Sequence, residues 1–374
     1  MKALSLNSPG HVEIIDIPEP RPGPEEVIVQ VGYVGLCGSD LNAYRGISPM
    51  VSYPRIIGHE VGGAIAAAGS RVPGHLHPGV RVTLSPYSHC GACPACRAGR
   101  TNACVHNETL GVQRDGALCE RISIHCSKLY PSDSLSLREL ALAEPLSVGY
   151  HATQVGCVTD QDCVLVLGCG AVGLGAIAAA ASLGARVIAL DVQQEKLGLA
   201  RALGAAEVVN SAAGDAGESI AALTDGLGPA VVIEAAGSPI TYRLALDSVS
   251  AVGRVVCIGY ASQPVELDTK LIVRKELGLF GSRNALGELA AVIEMLASRD
   301  RPFASMISRI VPLEEAGQAL AAWDAAPATV TRILVQIAAC PRQDPGDPSD
   351  TLASHGSAPG HFRLPRRHRA GPEG

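Results

Sequence analysis

The chain has 374 residues, 47% hydrophobic and 18% charged, with a net charge of -6 at pH 7. That is enough for two ordinary domains, and it excludes a disordered chain, a collagen and a coiled coil. The mild negative charge argues against a nucleic-acid partner, and no unbroken apolar run reaches the roughly 18 residues of a membrane helix. The N-terminus, Met1-Lys2-Ala3-Leu4-Ser5, lacks the apolar core of a signal peptide. A cytoplasmic protein with reduced cysteines is therefore expected, in which clustered cysteines point to metal before disulfide.

Residues 1 to about 150 hold short alternating stretches such as Glu26-Val27-Ile28-Val29-Gln30-Val31, broken by Pro and Gly. This texture predicts an all-β, barrel-like domain. Two segments within it carry metal-ligand side chains: Cys37-Gly38-Ser39-Asp40, and Gly58-His59-Glu60. Taken singly, Cys37 or His59 reads sooner as a packed core residue than as a ligand. Together, and in a chain that also carries the G-x-G-x-x-G run of a nucleotide site at residues 168–173, they become a candidate zinc pair, with a carboxylate as the usual third ligand.

Further on, Cys90, Cys93, Cys96 and Cys104 form C-x2-C-x2-C-x7-C. Two-residue gaps let consecutive thiolates converge on one ion, and the longer loop returns the fourth. Four soft ligands close a tetrahedron, so the spacing predicts a structural zinc. An iron–sulfur cluster is the rival reading, but one cluster's worth of ligands in compact gaps favours zinc. The lobe, about 88–106, has little apolar material of its own, and the metal would organise it.

From about 160 the rhythm becomes strand, helix, strand, helix. Strands are predicted at 163–168, 186–191, 206–209, 230–234, 254–259 and 277–281, an alternation that implies a parallel sheet covered on both faces. The first of them runs into Gly168-Cys169-Gly170-Ala171-Val172-Gly173 and an alanine-rich helix. This is G-x-G-x-x-G in its required setting. Gly168 permits the tight turn, Gly170 lets backbone approach a pyrophosphate, and Gly173 lets helix and strand pack. The amides at Ala171 and Val172 open the helix toward the phosphates. The second strand ends at Asp191. An acid about 20 residues downstream binds a ribose 2′-hydroxyl and repels a 2′-phosphate, which favours NAD over NADP.

Residues 283–338 return to mixed structure, with a helix predicted at 286–298 and a last strand at Arg332-Ile333-Leu334-Val335-Gln336. The segment 339–374 is crowded with Pro, Gly, Ser, Asp and Arg. Such a composition predicts a disordered tail.

The motif G-H-E-x-x-G-x5-G-x-x-V, matched at Gly58, His59, Glu60, Gly63, Gly69 and Val72, resembles the signature of zinc-dependent medium-chain dehydrogenases. The Cys37 segment, the four-cysteine lobe and the nucleotide motif follow in that family's order, and the resemblance covers about 1–338. It implies a GroES-like catalytic domain over 1–150 and an NAD-binding Rossmann domain over 151–282. Residues 283–338 would then complete the first domain. Ala143-Glu144-Pro145-Leu146-Ser147 stands where alcohol dehydrogenases supply a third cysteine, and resembles the sorbitol dehydrogenase branch.

That resemblance makes Cys37 and His59 ligands of a catalytic zinc, so two zinc ions per subunit are implied. Glu60 is the expected third ligand, with Glu144 either coordinating or holding the metal-bound water. Asp40 would stand behind His59 and fix its tautomer. Ser39, otherwise a plain turn residue, would pass on the substrate proton, though Asn42 replaces the histidine that many relatives use for the next step. Segments around Tyr53, Arg100, Gly111 and Gly281 resemble sugar-acid members such as L-galactonate and L-gulonate 5-dehydrogenases. Arg283 would contact the cofactor or a substrate hydroxyl or carboxylate. The implied activity is oxidation of a secondary hydroxyl of a polyol or sugar acid by a homodimer or homotetramer. Threonine 3-dehydrogenase, a general secondary-alcohol dehydrogenase and an inactive zinc- and nucleotide-binding scaffold are the alternatives.

Overall fold

The computed structural model describes residues 1–337; the predicted tail at 339–374 lies outside the described residues. The strand Glu26–Leu36 organises the first half of the chain. It pairs antiparallel with Glu60–Ala68, with Arg121–His125 and with Arg332–Gln336. The sheet they form has seven strands and continues to Ile307–Pro312 at one edge and to Arg81–Leu84 and Leu129–Pro131 at the other. Residues 307–336 therefore return to the sheet begun by the first hundred residues.

Alternation over 26–31 suggests one wet face for this strand. Instead Val27, Ile28, Val29, Val31, Val34 and Leu36 are all buried. The reason is a second layer: the short helix Leu137–Leu140 lies on the sheet where Gly32 and Gly62 leave room for Leu137, whose carbonyl oxygen would stand 1.9 Å from any Cβ at Gly62.

The second sheet is all parallel, in the order Glu207–Asn210, Arg186–Asp191, Cys163–Leu167, Val231–Glu234, Arg254–Cys257, Gly278–Gly281. The order runs outward from the first strand in two directions, as in a doubly wound nucleotide-binding sheet. Val164, Leu165, Val166 and Leu167 are fully buried because helices cover both faces. On the helix Ala171–Ser182, Ala176 and Ala178 to Ala180 are likewise fully buried.

The helix Ala143–Val155 joins the two halves. Its Gly149 lies so close to the helix Ala171–Ser182 that a Cβ would stand 2.2 Å from the Val172 carbonyl oxygen. Gly175 repeats the approach from the other side, where a Cβ would stand 2.9 Å from the Leu146 Cα. Small residues at the crossing thus bring Glu144 and the nucleotide turn onto one rigid pair of helices. No helix among the described residues is long and apolar enough to cross a membrane.

Candidate active site

The strand Cys163–Leu167 ends in the glycine turn, where each glycine has its own physical reason. Gly168 has φ +98°, and a Cβ at Gly173 would lie 1.9 Å from the Gly168 carbonyl oxygen. At Gly170 a Cβ would meet no protein atom within 4 Å. Internal packing therefore does not demand a glycine there, and the open space in front of the helix suits a phosphate. Asp191 closes the turn from the neighbouring strand, accepting from the Cys169 N–H at 2.7 Å and the Gln193 N–H at 2.9 Å. Those two bonds fix the carboxylate at the mouth of the turn.

Cys37 caps the helix Gly38–Tyr44, and His59 immediately precedes the strand Glu60–Ala68. Donor atoms of Cys37, His59 and Glu60 lie within 4.8 Å of one another. His59 and Glu60 are buried, and His59 Nδ1 has no hydrogen-bond partner. Gly35 makes room for the carboxylate, since a Cβ there would stand 2.1 Å from Glu60 Oε2. Glu144, at the start of its helix, lies outside that three-residue group and accepts a hydrogen bond from the Tyr87 hydroxyl. The Ser39 hydroxyl is buried without a partner.

The electrostatics of this cluster are unbalanced. Cys37, Asp40, Glu60 and Glu144 stand against Arg332 and His59. Burial pushes the Glu60 carboxyl up to about 7, helped by the Glu144 charge and opposed by Arg332. Burial opposes charge on His59, yet Cys37, Asp40 and Glu144 together hold its pKa well above the ordinary value. A largely buried set in which a soft sulfur, an imidazole and a carboxyl group converge is a donor set that fits zinc.

Asp40 corrects one expectation. Its carboxylate makes no hydrogen bond to His59; it accepts from the Cys37 N–H at 2.8 Å and the Gly58 N–H at 3.2 Å. Two backbone donors outcompete the ring because they converge from the segments on either side. Asp40 thus laces together the two ligand-bearing loops and influences His59 through its charge alone.

In the lobe, Cys93 Sγ lies 3.5 Å from Cys96 Sγ and 3.8 Å from Cys104 Sγ, which is 3.6 Å from Cys90 Sγ. Metal–sulfur bonds of about 2.3 Å give a tetrahedron with edges of about 3.8 Å. None of the four is in a disulfide. Backbone N–H groups of Ala92 and Cys93 point at Cys90 Sγ, and those of Cys96 and Val105 draw the Cys93 thiol down to about 6. Burial and its sulfur neighbours push the Cys96 thiol up to about 11, so the four groups share protons that a bound cation would displace.

The family description "Alcohol dehydrogenase GroES-like domain" matches residues 23–134, and "Zinc-binding dehydrogenase" matches 171–298. A sorbitol dehydrogenase from Bacillus subtilis is 36% identical over 80% of this chain and 86% of its own length. The chain belongs to the zinc-type medium-chain alcohol dehydrogenase family. Another member of this alcohol dehydrogenase family, an L-galactonate-5-dehydrogenase from Escherichia coli, is 31% identical over 77% of this chain and 84% of its own. A zinc-binding dehydrogenase from Sinorhizobium meliloti, solved with NADP, superposes with a TM-score of 0.84 at 32% identity, covering 90% of this chain and 99% of that one. An Escherichia coli dehydrogenase solved with NADH gives 0.83 at 30% identity, with the same coverage.

This dehydrogenase also uses residues that its sequence did not announce. Arg332 is buried and donates to Glu60 and to the Leu36 carbonyl, and Tyr87 holds Glu144. One signal existed for the first: an arginine opening an apolar strand. Arg283, by contrast, has an exposed side chain, and its backbone carbonyl accepts from Asn102 Nδ2 at 2.7 Å. Asn42 is exposed, and the enzyme's Ser39 hydroxyl has no protein partner to pass a proton to.

Proposed function

We propose that this enzyme oxidises a secondary hydroxyl of a polyol or sugar acid to the ketone, with NAD as hydride acceptor and zinc held by Cys37, His59 and Glu60. The observation that carries the reading is the convergence of those three donors within 4.8 Å, with His59 and Glu60 buried. When bound, zinc supplies Lewis acidity that lowers the pKa of a coordinated hydroxyl toward neutrality.

The chain's own residues provide the rest. Asp40 holds the Cys37 and His59 segments in register, and Arg332 pairs with the Glu60 carboxylate and opposes the cost of its burial. Glu144, oriented by Tyr87, stands beside the group to accept a hydrogen bond from water or substrate. Ser39 carries the first step of proton removal, and because its buried hydroxyl has no protein partner the onward relay needs a water beside it. Asp191, at the mouth of the glycine turn, supports NAD over NADP. The four lobe cysteines hold a second, structural zinc. Leu279 and Phe280, exposed on the edge strand Gly278–Gly281, support a homodimer or homotetramer.

The test is a panel of polyols, aldonates, threonine and simple secondary alcohols, read as NADH formation. Sugar derivatives should lead. A preference for threonine or short alcohols over every sugar derivative would reject the substrate class. Cys37→Ser should abolish turnover, remove one zinc equivalent and leave NADH binding intact; full activity without that zinc would reject the mechanism.

A further inference from the structure

A run of buried polar contacts ties the four-cysteine lobe to the loop that follows the last strand of the parallel sheet, and none of the catalytic steps above uses it. Asn102 sits in the turn Thr101–Ala103 that delivers Cys104, and it is only 6% exposed. His151 lies on the helix Ala143–Val155, two turns after Glu144, and is 2% exposed. Asn102 Nδ2 lies 2.7 Å from the Arg283 carbonyl oxygen and 3.1 Å from His151 Nε2. The carbonyl can only accept, so it fixes which way the amide faces. The second amide hydrogen is then left for the ring nitrogen. His151 must accept at Nε2 and donate from Nδ1, and Nδ1 lies 2.6 Å from Glu288 Oε1. Glu288 in turn accepts the Leu286 N–H, while Asn284 Nδ2 donates back to the Asn102 carbonyl at 3.1 Å. Asn284 has φ +55°, a conformation that needs such support in a residue with a side chain.

The loop so held is placed to matter. It leaves the carboxyl end of Gly278–Gly281, with the Ser282 N–H bonded to the Cys257 carbonyl at 2.8 Å. In a parallel sheet that is the same edge from which the Gly168 turn emerges, and a dinucleotide lies across it.

We propose that Asn102 and His151 are positioning residues: through them the cysteine lobe holds the 282–288 loop in the shape that receives the cofactor. The lobe then does more than stabilise its own fold, because its turn supplies one wall of the cofactor site's support. This inference rests on the NAD(H) reading given above. A purely stabilising network would behave differently, since its loss would lower the melting temperature and leave the cofactor affinity of the folded enzyme unchanged.

The test compares the zinc-loaded enzyme with its Asn102→Ala and His151→Gln variants by calorimetric titration with NADH, below their melting temperatures. Zinc content and steady-state kinetics are measured alongside. Each variant should keep its full zinc content and bind NADH about tenfold more weakly, equivalent to about 1.4 kcal/mol. The KM for NAD should rise in step, with kcat at saturating NAD changed by no more than about twofold. NADH affinity equal to that of the unsubstituted enzyme in both folded variants would overturn the proposal. So would a loss of affinity that only tracks loss of lobe zinc. Failure of the unsubstituted, zinc-loaded enzyme to bind NADH would overturn this proposal and the cofactor reading beneath it.

Discussion

Arg332 and Glu60 meet from 272 residues apart, with Arg332 Nη1 2.6 Å from each oxygen of the Glu60 carboxylate and both side chains buried. The same nitrogen donates to the Leu36 carbonyl at 2.7 Å, one residue before Cys37. One guanidinium therefore spans both halves of the candidate metal site. Removing it strands a buried carboxylate, and breaking such a pair costs about 3–5 kcal/mol. Arg332→Met should lose that much in urea unfolding of the metal-free protein, where no cation shares Glu60. A loss of about 1 kcal/mol or less would show that water compensates the carboxylate.

Asp191 is held at the glycine turn by two backbone N–H groups. Asp191→Ala should reduce the preference for NAD over NADP, measured as the ratio of kcat/KM values. The expected fall is about tenfold to a hundredfold, the worth of one charge-assisted hydrogen bond at about 1.5–3 kcal/mol. An unchanged ratio would mean that another group reads the ribose.

The lobe's sulfur spacing fits a closed tetrahedral site, so one missing ligand should release its metal. Cys96→Ala should lose one zinc equivalent while the Cys37 site stays filled. Its melting temperature should fall by about 5 °C or more, given about 2–4 °C per kcal/mol for domains of 150–250 residues. Full zinc content in this variant would contradict the four-thiolate assignment.

Glu288 offers a pH signature. Burial alone would raise its pKa, but the hydrogen bonds it accepts from His151 and from the Leu286 N–H outweigh burial and lower it. A carboxylate with a depressed folded pKa contributes stability above its unfolded value of 4.5 and loses it as pH falls through the folded value. Glu288→Gln should therefore be less stable than the parent at pH 7, by about 1–3 kcal/mol. The gap should narrow as pH drops below 4.5. Urea midpoints at several pH values decide it, and a gap that widens toward acid would refute the linkage.

What could be read from the sequence was local. The glycine turn, the acid that ends the next strand and the cysteine lobe each fit within about 25 residues, where spacing alone fixes geometry. The six parallel strands were equally legible, because the central ones are buried on both faces and all read as short apolar runs between helical patterns. Arg332, Tyr87 and the Asn102–His151 contacts were not, since each depends on a chain crossing that no periodicity encodes. Asp40 shows a subtler limit: its place near His59 was foreseeable, but its choice of backbone donors depends on how two loops close. The both-sided burial of Glu26–Leu36 was hidden for a similar reason, as the covering helix Leu137–Leu140 lies a hundred residues away.

The pairing of Arg332–Gln336 with Glu26–Leu36 has a consequence for the order of events during synthesis. All six parallel strands have left the ribosome before residue 332 is made, so the nucleotide-binding sheet can close while the chain is still growing. The metal cluster cannot. Until Arg332 emerges, Glu60 lacks its counter-charge and Glu26–Leu36 keeps its edge open over Tyr33–Leu36. The nascent chain should therefore pass through a stage in which the nucleotide-binding sheet is formed while the candidate metal site is still incomplete.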